Sequence, residues 1–155
     1  MRIFILILFI FSCERTELLP TTYETLNEII SGHKGKKAVL VNMWALWCPP
    51  CVEEFPMIVN LQKKTNDLEV IFVNVDFDDQ FRDVISFLNG HNVGKTSYIK
   101  RQKDDIFING MHADWSGSLP FTIIYAKNSG NIIDYWEGKK EEEKFKKAIS
   151  LALDL

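Results

Sequence analysis

The chain predicts an α/β fold: a three-layer α/β/α sandwich whose central mixed sheet ends in an antiparallel hairpin. Three observations carry this expectation. Two apolar runs, Ala38 to Ala45 and Glu69 to Val75, have the near-continuous hydrophobicity of strands buried on both faces. Each is followed by a segment of helical periodicity, the order that lays helices over a parallel sheet. Towards the C-terminus, two more strand-like runs flank a turn signal, and an amphipathic helix closes the chain.

At the N-terminus, Arg2 precedes an unbroken apolar run from Ile3 to Phe11. The run is too short to span a bilayer comfortably, which takes about 20 residues, and it has the charge, length and position of a signal-peptide core. Ile10-Phe11-Ser12-Cys13 resembles a bacterial lipoprotein signal, although Phe11 is bulkier than the usual spacer. That resemblance implies a signal peptide over residues 1–12 and lipidation at Cys13. An ordinary signal peptide, or an uncleaved anchor, with an incidental Cys13 is the competing reading. Residues 13–20 read as a tether and residues 21–155 as one domain.

Thr21 and Glu24 have capping-box spacing and predict a helix start, with Tyr23, Leu26 and Ile30 on one face. Gly32 to Lys37 is a polar break before the first buried strand. Val52 to Lys64 reads as a helix with Val52, Phe55, Ile58 and Val59 on its apolar side, and Phe81, Val84, Ile85 and Leu88 fit another. Gly94 to Leu119 carries the weakest pattern and is expected to hold a strand and a short helical turn. Pro120 opens the strand Phe121 to Ala126. Lys127-Asn128-Ser129-Gly130 then turns the chain into a return strand, Ile132 to Trp136. In the last helix Phe145, Ala148, Ile149 and Ala152 share a face, while Glu142/Lys146 and Glu143/Lys147 can pair one turn apart.

At 155 residues the chain can bury one substantial core. With 46% hydrophobic and 25% charged residues it is neither disordered nor a membrane-embedded body, and a net charge of −3 gives no positive field for nucleic acid. The three cysteines are an odd count. Lipidation of Cys13 would leave Cys48 and Cys51 as a pair, in an extracytoplasmic setting where disulfides persist.

Cys48-Pro49-Pro50-Cys51 falls where a buried strand gives way to a helix. A helix N-terminus offers free N–H groups and the positive end of a dipole, and both favour a thiolate. Cys48, at the outer end, is the expected exposed nucleophile. Cys51, one turn in, is the expected resolving thiol. The prolines fit a first turn, where N–H groups have no intrahelical partner, and they stiffen the loop. Zinc is disfavoured, because a tetrahedral site needs four ligands and His33, His91 and His112 are scattered without ligand spacing. A purely structural disulfide closing so short a loop would remove little chain entropy.

Val39-Leu40-Val41-Asn42-Met43-Trp44-Ala45-Leu46-Trp47-Cys48-Pro49-Pro50-Cys51 resembles the active-site strand and loop of thioredoxin-like proteins. Val52-Glu53-Glu54-Phe55-Pro56 resembles the TlpA/ResA-type branch, which comprises membrane-tethered, extracytoplasmic thiol–disulfide oxidoreductases. Leu119-Pro120-Phe121-Thr122 fits the family's cis-proline landmark. The resemblance implies that Trp47, flanking the site, and Pro49 and Pro50, between the two cysteines, are substrate-binding residues, as are Leu119 and Pro120. It also implies that Leu119, before cis-Pro120, offers backbone hydrogen bonds to an extended partner. Glu54 matches an acidic residue able to exchange a proton with Cys51, its alternative being a solvated helix residue. Asn42 stands where cytosolic thioredoxins carry a buried aspartate, so Glu54 or water would have to supply the acid. Pro56 matches a helix-kinking proline, which packing alone would also explain. Trp115 either borders the substrate groove or belongs to the core. The implied activity is reduction of disulfides in partner proteins, without metal or organic cofactor. It would be exercised by a monomer anchored on the periplasmic face of a bacterial membrane and re-reduced by a membrane thiol donor. Spacing alone leaves two alternatives open: an oxidant that inserts disulfides, and a peptide-binding module without turnover.

Overall fold

In the computed structural model, which describes residues 16–94 and 96–155, the two continuous apolar runs become the central strands of one six-stranded sheet. The expected signal peptide over residues 1–12 and Cys13 lie outside the described residues. In chain order the elements are β1 (Leu18–Thr21), α1 (Tyr23–Ser31), β2 (Ala38–Trp44), α2 (Pro49–Lys64) and β3 (Leu68–Asn74). A 3₁₀ turn (Asp78–Gln80) leads into α3 (Phe81–Gly90), then β4 (Ser97–Lys100) and α4 (Asp104–Met111). The chain ends with β5 (Phe121–Tyr125), β6 (Ile132–Glu137) and α5 (Glu142–Asp154). The strand order is β1-β4-β3-β2-β5-β6. The first four strands run parallel, and β5 pairs antiparallel with both β2 and β6.

Every residue of β2 is buried, and its alternation divides the core in two. Val39, Val41 and Met43 pack with Leu26 and Ile30 of α1 and Phe107 and Met111 of α4. Leu40 and Trp44 face the other way, against Phe55 and Ile58 of α2, Val84 and Leu88 of α3, and Phe145 and Ile149 of α5. Asn42 lies on this second face and is the polar exception within it. Helices therefore cover both faces of a mixed sheet that closes on a hairpin, as the periodicity predicts.

Four local expectations are corrected. The last residues of the expected tether form β1, the edge strand, which pairs with β4 through Leu18↔Ser97 to Thr21↔Lys100. Pro20 is tolerated there because an edge strand leaves one row of N–H positions unpaired. The cap of α1 is Thr22 rather than Thr21, and its hydroxyl accepts the Thr25 N–H at 3.4 Å in place of a Thr21/Glu24 capping box. Helix α2 starts at Pro49, three residues before the apolar periodicity begins, because the prolines occupy its first turn without needing to donate. The weakly patterned segment holds β4 and the eight-residue α4, a fuller helix than a single turn.

Candidate active site

Cys48 is the N-cap of α2, with Pro49 and Pro50 as its first two helical residues and Cys51 as the third. Its own carbonyl accepts from both Cys51 N (3.0 Å) and Val52 N (3.1 Å), so the first available helix donors are already occupied. The two sulfurs are joined as a disulfide across a Cα–Cα distance of 5.3 Å. Cys51 is 1% exposed and Cys48 only 4%, which corrects the expectation of an exposed Cys48. In the disulfide each sulfur covers part of the other. What stands open is Trp47, 55% exposed beside the pair, together with Pro49 on the outer side of the turn; Pro50 is half-buried.

Glu54 lies one turn beyond Cys51 on the same side of α2. It is only 2% exposed, whereas its neighbour Glu53 reaches solvent and pairs with Lys139 at 2.7 Å. Two groups hold the buried carboxylate. Asn42 Nδ2 donates to Oε1 at 3.1 Å, and the Lys140 backbone N–H donates to Oε2 at 3.4 Å. The same Asn42 amide donates to Thr122 Oγ1 at 3.0 Å, and Asn42 and Thr122 are register partners across β2 and β5. Burial pushes the Glu54 pKa up to about 7, against the hydrogen bond from Asn42, that from Lys140, and the charges of Lys139 and Lys140. A carboxyl group with that pKa gains and loses a proton in the pH range where thiols exchange.

Leu119–Pro120 is a cis peptide bond immediately before β5. The Pro120 carbonyl accepts from Gly138 N at 2.8 Å, and half-buried Leu119 touches both halves of the core. Ahead of it, Trp115 stacks on Phe121 at 4.7 Å between ring centroids, and its indole N–H donates to Ser118 O at 2.9 Å. Trp115 is therefore a core aromatic, and it also contributes to the inner wall of a cleft of about 400 Å³. That cleft runs from Trp47 and Leu119 past Phe77 to Arg101. Phe77 is 74% exposed, so a large apolar side chain is held open to solvent near the redox pair.

The structure thus sets Trp47 and Leu119 on one cleft, with the Cys48–Cys51 pair following Trp47 in the chain, and places Glu54 one turn beyond Cys51 in the polar pocket of Asn42 and Thr122. Pro56 sits inside α2 with its ring exposed, away from that pocket. His91 packs on Phe87 at 4.2 Å, on the α3 side of the core. Sequence reasoning missed Thr122, Phe77 and Asp76. The Asp76 carboxylate is 4% exposed and accepts from Leu46 N (2.8 Å) and Asn74 Nδ2 (2.6 Å), which ties the loop after β3 to the redox loop. Polar residues just past the carboxyl end of a buried parallel strand were the available signal, since ligand sites gather there in α/β sheets.

The Redoxin family model matches residues 16–106, more than half of the chain and inclusive of both cysteines. The thioredoxin-like protein YneN of Bacillus subtilis is 31% identical over 121 residues, covering 76% of this chain and 66% of its own length. The thiol-disulfide oxidoreductase ResA of the same organism is 44% identical over 48 residues, 30% of this chain and 26% of ResA. The chain therefore spans just under two thirds of YneN and about a quarter of ResA. Among solved structures, a thiol:disulfide interchange protein of the thioredoxin family from Chlorobium tepidum superposes with a TM-score of 0.64 at 24% identity, over 79% of this chain and 83% of that one. With a cysteine pair capping the helix after a buried strand, a cis-proline opening β5 and a buried glutamate one turn beyond the pair, the chain belongs to the Redoxin family, on the thioredoxin-like fold.

Proposed function

We propose that this protein is a thiol–disulfide oxidoreductase that reduces disulfides in extracytoplasmic partner proteins. The observation that carries the reading is the Cys48–Cys51 disulfide, closed on the first turn of α2 beside the exposed Trp47. In the reduced protein the Cys48 thiolate attacks one sulfur of the partner's disulfide, forming a mixed disulfide and releasing the partner's other sulfur as a thiolate. Glu54 accepts the Cys51 proton. The Cys51 thiolate attacks Cys48 Sγ, displaces the partner as a dithiol after protonation and leaves the Cys48–Cys51 disulfide. Two electrons pass to the partner, and no cofactor takes part.

Reduction, rather than oxidation, is favoured by the prolines. A thiolate at an N-cap is stabilised by N–H donors of the second and third helical residues. Here the second is Pro50, which has none, and the third donates to the Cys48 carbonyl. A poorly stabilised thiolate makes the dithiol form more reducing. An extended partner would run along the Leu119 edge with its cysteine over Cys48. The Arg2 to Phe11 segment and Cys13 support an extracytoplasmic location and a lipid tether, so a membrane thiol donor would restore the dithiol. The deciding experiment uses the full-length chain. Cys48→Ser should abolish reduction of protein disulfides, and Cys51→Ser should accumulate mixed disulfides in the membrane fraction. Adding Cys13→Ser should shift those adducts to the soluble fraction. Undiminished turnover by Cys48→Ser would overturn the mechanism, and adducts still held in membranes would overturn the lipid tether.

A further inference from the structure

The segment that presents Leu119 is short of backbone support. Residues 112–119 form neither helix nor strand, and Gly117 has a φ of 91°, a left-handed conformation that glycine adopts without steric cost. Such a segment keeps a defined path only where side chains hold it. One comes from another strand. Glu137, the last residue of β6, accepts from both the Ser116 N–H and the Ser116 hydroxyl, the latter at 2.8 Å. The Ser116 hydroxyl lies 2.8 Å from that of Ser118, and the Trp115 indole closes the turn onto the Ser118 carbonyl. Glu137 is also the register partner of Phe121, the residue after the cis-proline, and Gly138 N donates to the Pro120 carbonyl. The end of β6 therefore grips the chain on both sides of Leu119–Pro120.

We propose that Glu137 is a positioning residue that holds the 115–119 segment in the path a protein substrate must pair with. This rests on the reading above that partners dock along the Leu119 edge. The physical reason is preorganisation. An extended partner gains its backbone hydrogen bonds only if the receiving backbone is already in place, and ordering it on binding would subtract from affinity. Hydrogen bonds to a charged acceptor are stronger than those between neutral groups, so a carboxylate can fix a solvent-facing segment that neutral contacts would leave mobile. A small disulfide has no extended chain and gains nothing from that edge.

The test compares full-length wild type, Glu137→Ala and Glu137→Gln on two substrates, insulin and hydroxyethyl disulfide, at equal concentrations of reductant. The readout is the ratio of the two kcat/KM values, with the KM for insulin measured separately. Glu137→Ala should lower the ratio about tenfold, the scale of one lost charge-assisted hydrogen bond, through a higher KM for insulin. Glu137→Gln keeps one acceptor oxygen but loses the second and the charge, so it should recover only part of the loss. Faster amide exchange at Ser116 and Ser118 should accompany the change. If Glu137→Ala fails to fold, Ser116→Ala removes one of the two bonds from an exposed side chain and should move the ratio in the same direction. A ratio unchanged from wild type in the folded variants would overturn the positioning role. Failure of the wild type to reduce either substrate would instead overturn the redox reading on which it stands.

Discussion

Glu54 is held in a pocket that withholds water from a carboxylate and offers it two hydrogen bonds in return. Burial dominates, so its pKa rises from 4.5 to about 7. The sign of the consequence for stability follows. The folded chain keeps the proton over the interval in which the unfolded chain has released it, so the contribution is full below about pH 4.5 and is lost as pH rises through about 7. At 1.36 kcal/mol per unit, the loss is on the order of 3 kcal/mol. Denaturant unfolding of wild type should show that decline between those pH values, and Glu54→Gln, which cannot ionise, should flatten it. Turnover should move the other way, because accepting the Cys51 proton needs the ionised form. The rate should climb through about pH 7 in wild type. Glu54→Gln should lose that limb and about 100-fold in rate at neutral pH, the scale of one general base. A variant with an unaltered pH–rate profile would remove Glu54 from the mechanism. In the sequence this residue was visible only through family resemblance. Its distinction from Glu53 is a matter of burial, decided by Asn42 on β2 and by the passage of Lys140 overhead.

Helix α2 shows how an element sets the chemistry of its first residue. Its N-terminal dipole favours a Cys48 thiolate, but the local donors are spent. Pro50 has no N–H, and the Cys51 N–H is used on the Cys48 carbonyl. Pro50→Ala restores a donor at the second helical position, within reach of an N-cap sulfur. A hydrogen bond to a charged group contributes about 1.5–3 kcal/mol, and 1.4 kcal/mol corresponds to about 30 mV for a two-electron couple. Equilibration of Pro50→Ala with a glutathione buffer should therefore give a potential roughly 30–60 mV more oxidising, accompanied by a lower Cys48 pKa. A potential equal to that of wild type would show that the backbone at residue 50 does not face the thiolate. Elements of this kind were legible because one helix or strand carries its own period: β2 and β3 by continuous apolar character, α3 and α5 by their apolar faces. Helix α4 was not, because its features come from neighbours. No side chain caps it, and Gly110 reads as a helix breaker. The structure shows a contact instead: a Cβ on Gly110 would fall 2.3 Å from the Tyr23 ring, so α1 can approach only because that position has no side chain.

At the scale of the whole molecule, what the sequence concealed was pairing between segments far apart in the chain. The Asn42–Thr122 contact spans 80 positions and exists only through the β2/β5 register. The same holds for β1. Four residues with a proline and no alternating pattern look like a tether, yet they close the edge of the sheet against β4. Flanking residues extend the join. Ser97 N donates to Glu17 O at 2.7 Å, Arg101 N donates to Thr21 O at 2.8 Å, and the Thr16 hydroxyl donates to the Val93 carbonyl. Leu18 enters the α2-side core at 5% exposed. A chain beginning at Thr22 would lose that burial, about 2 kcal/mol for one leucine, and would open the β4 edge to solvent. Since 1 kcal/mol shifts Tm by about 2–4 °C in a domain of this size, the truncated chain should melt roughly 4–8 °C lower. It should also self-associate, because an unpaired β4 edge can template pairing with another copy. Light scattering and a thermal scan of the two chains measure both effects. Equal Tm values would return residues 16–21 to the role of a tether, with the sheet complete at β4.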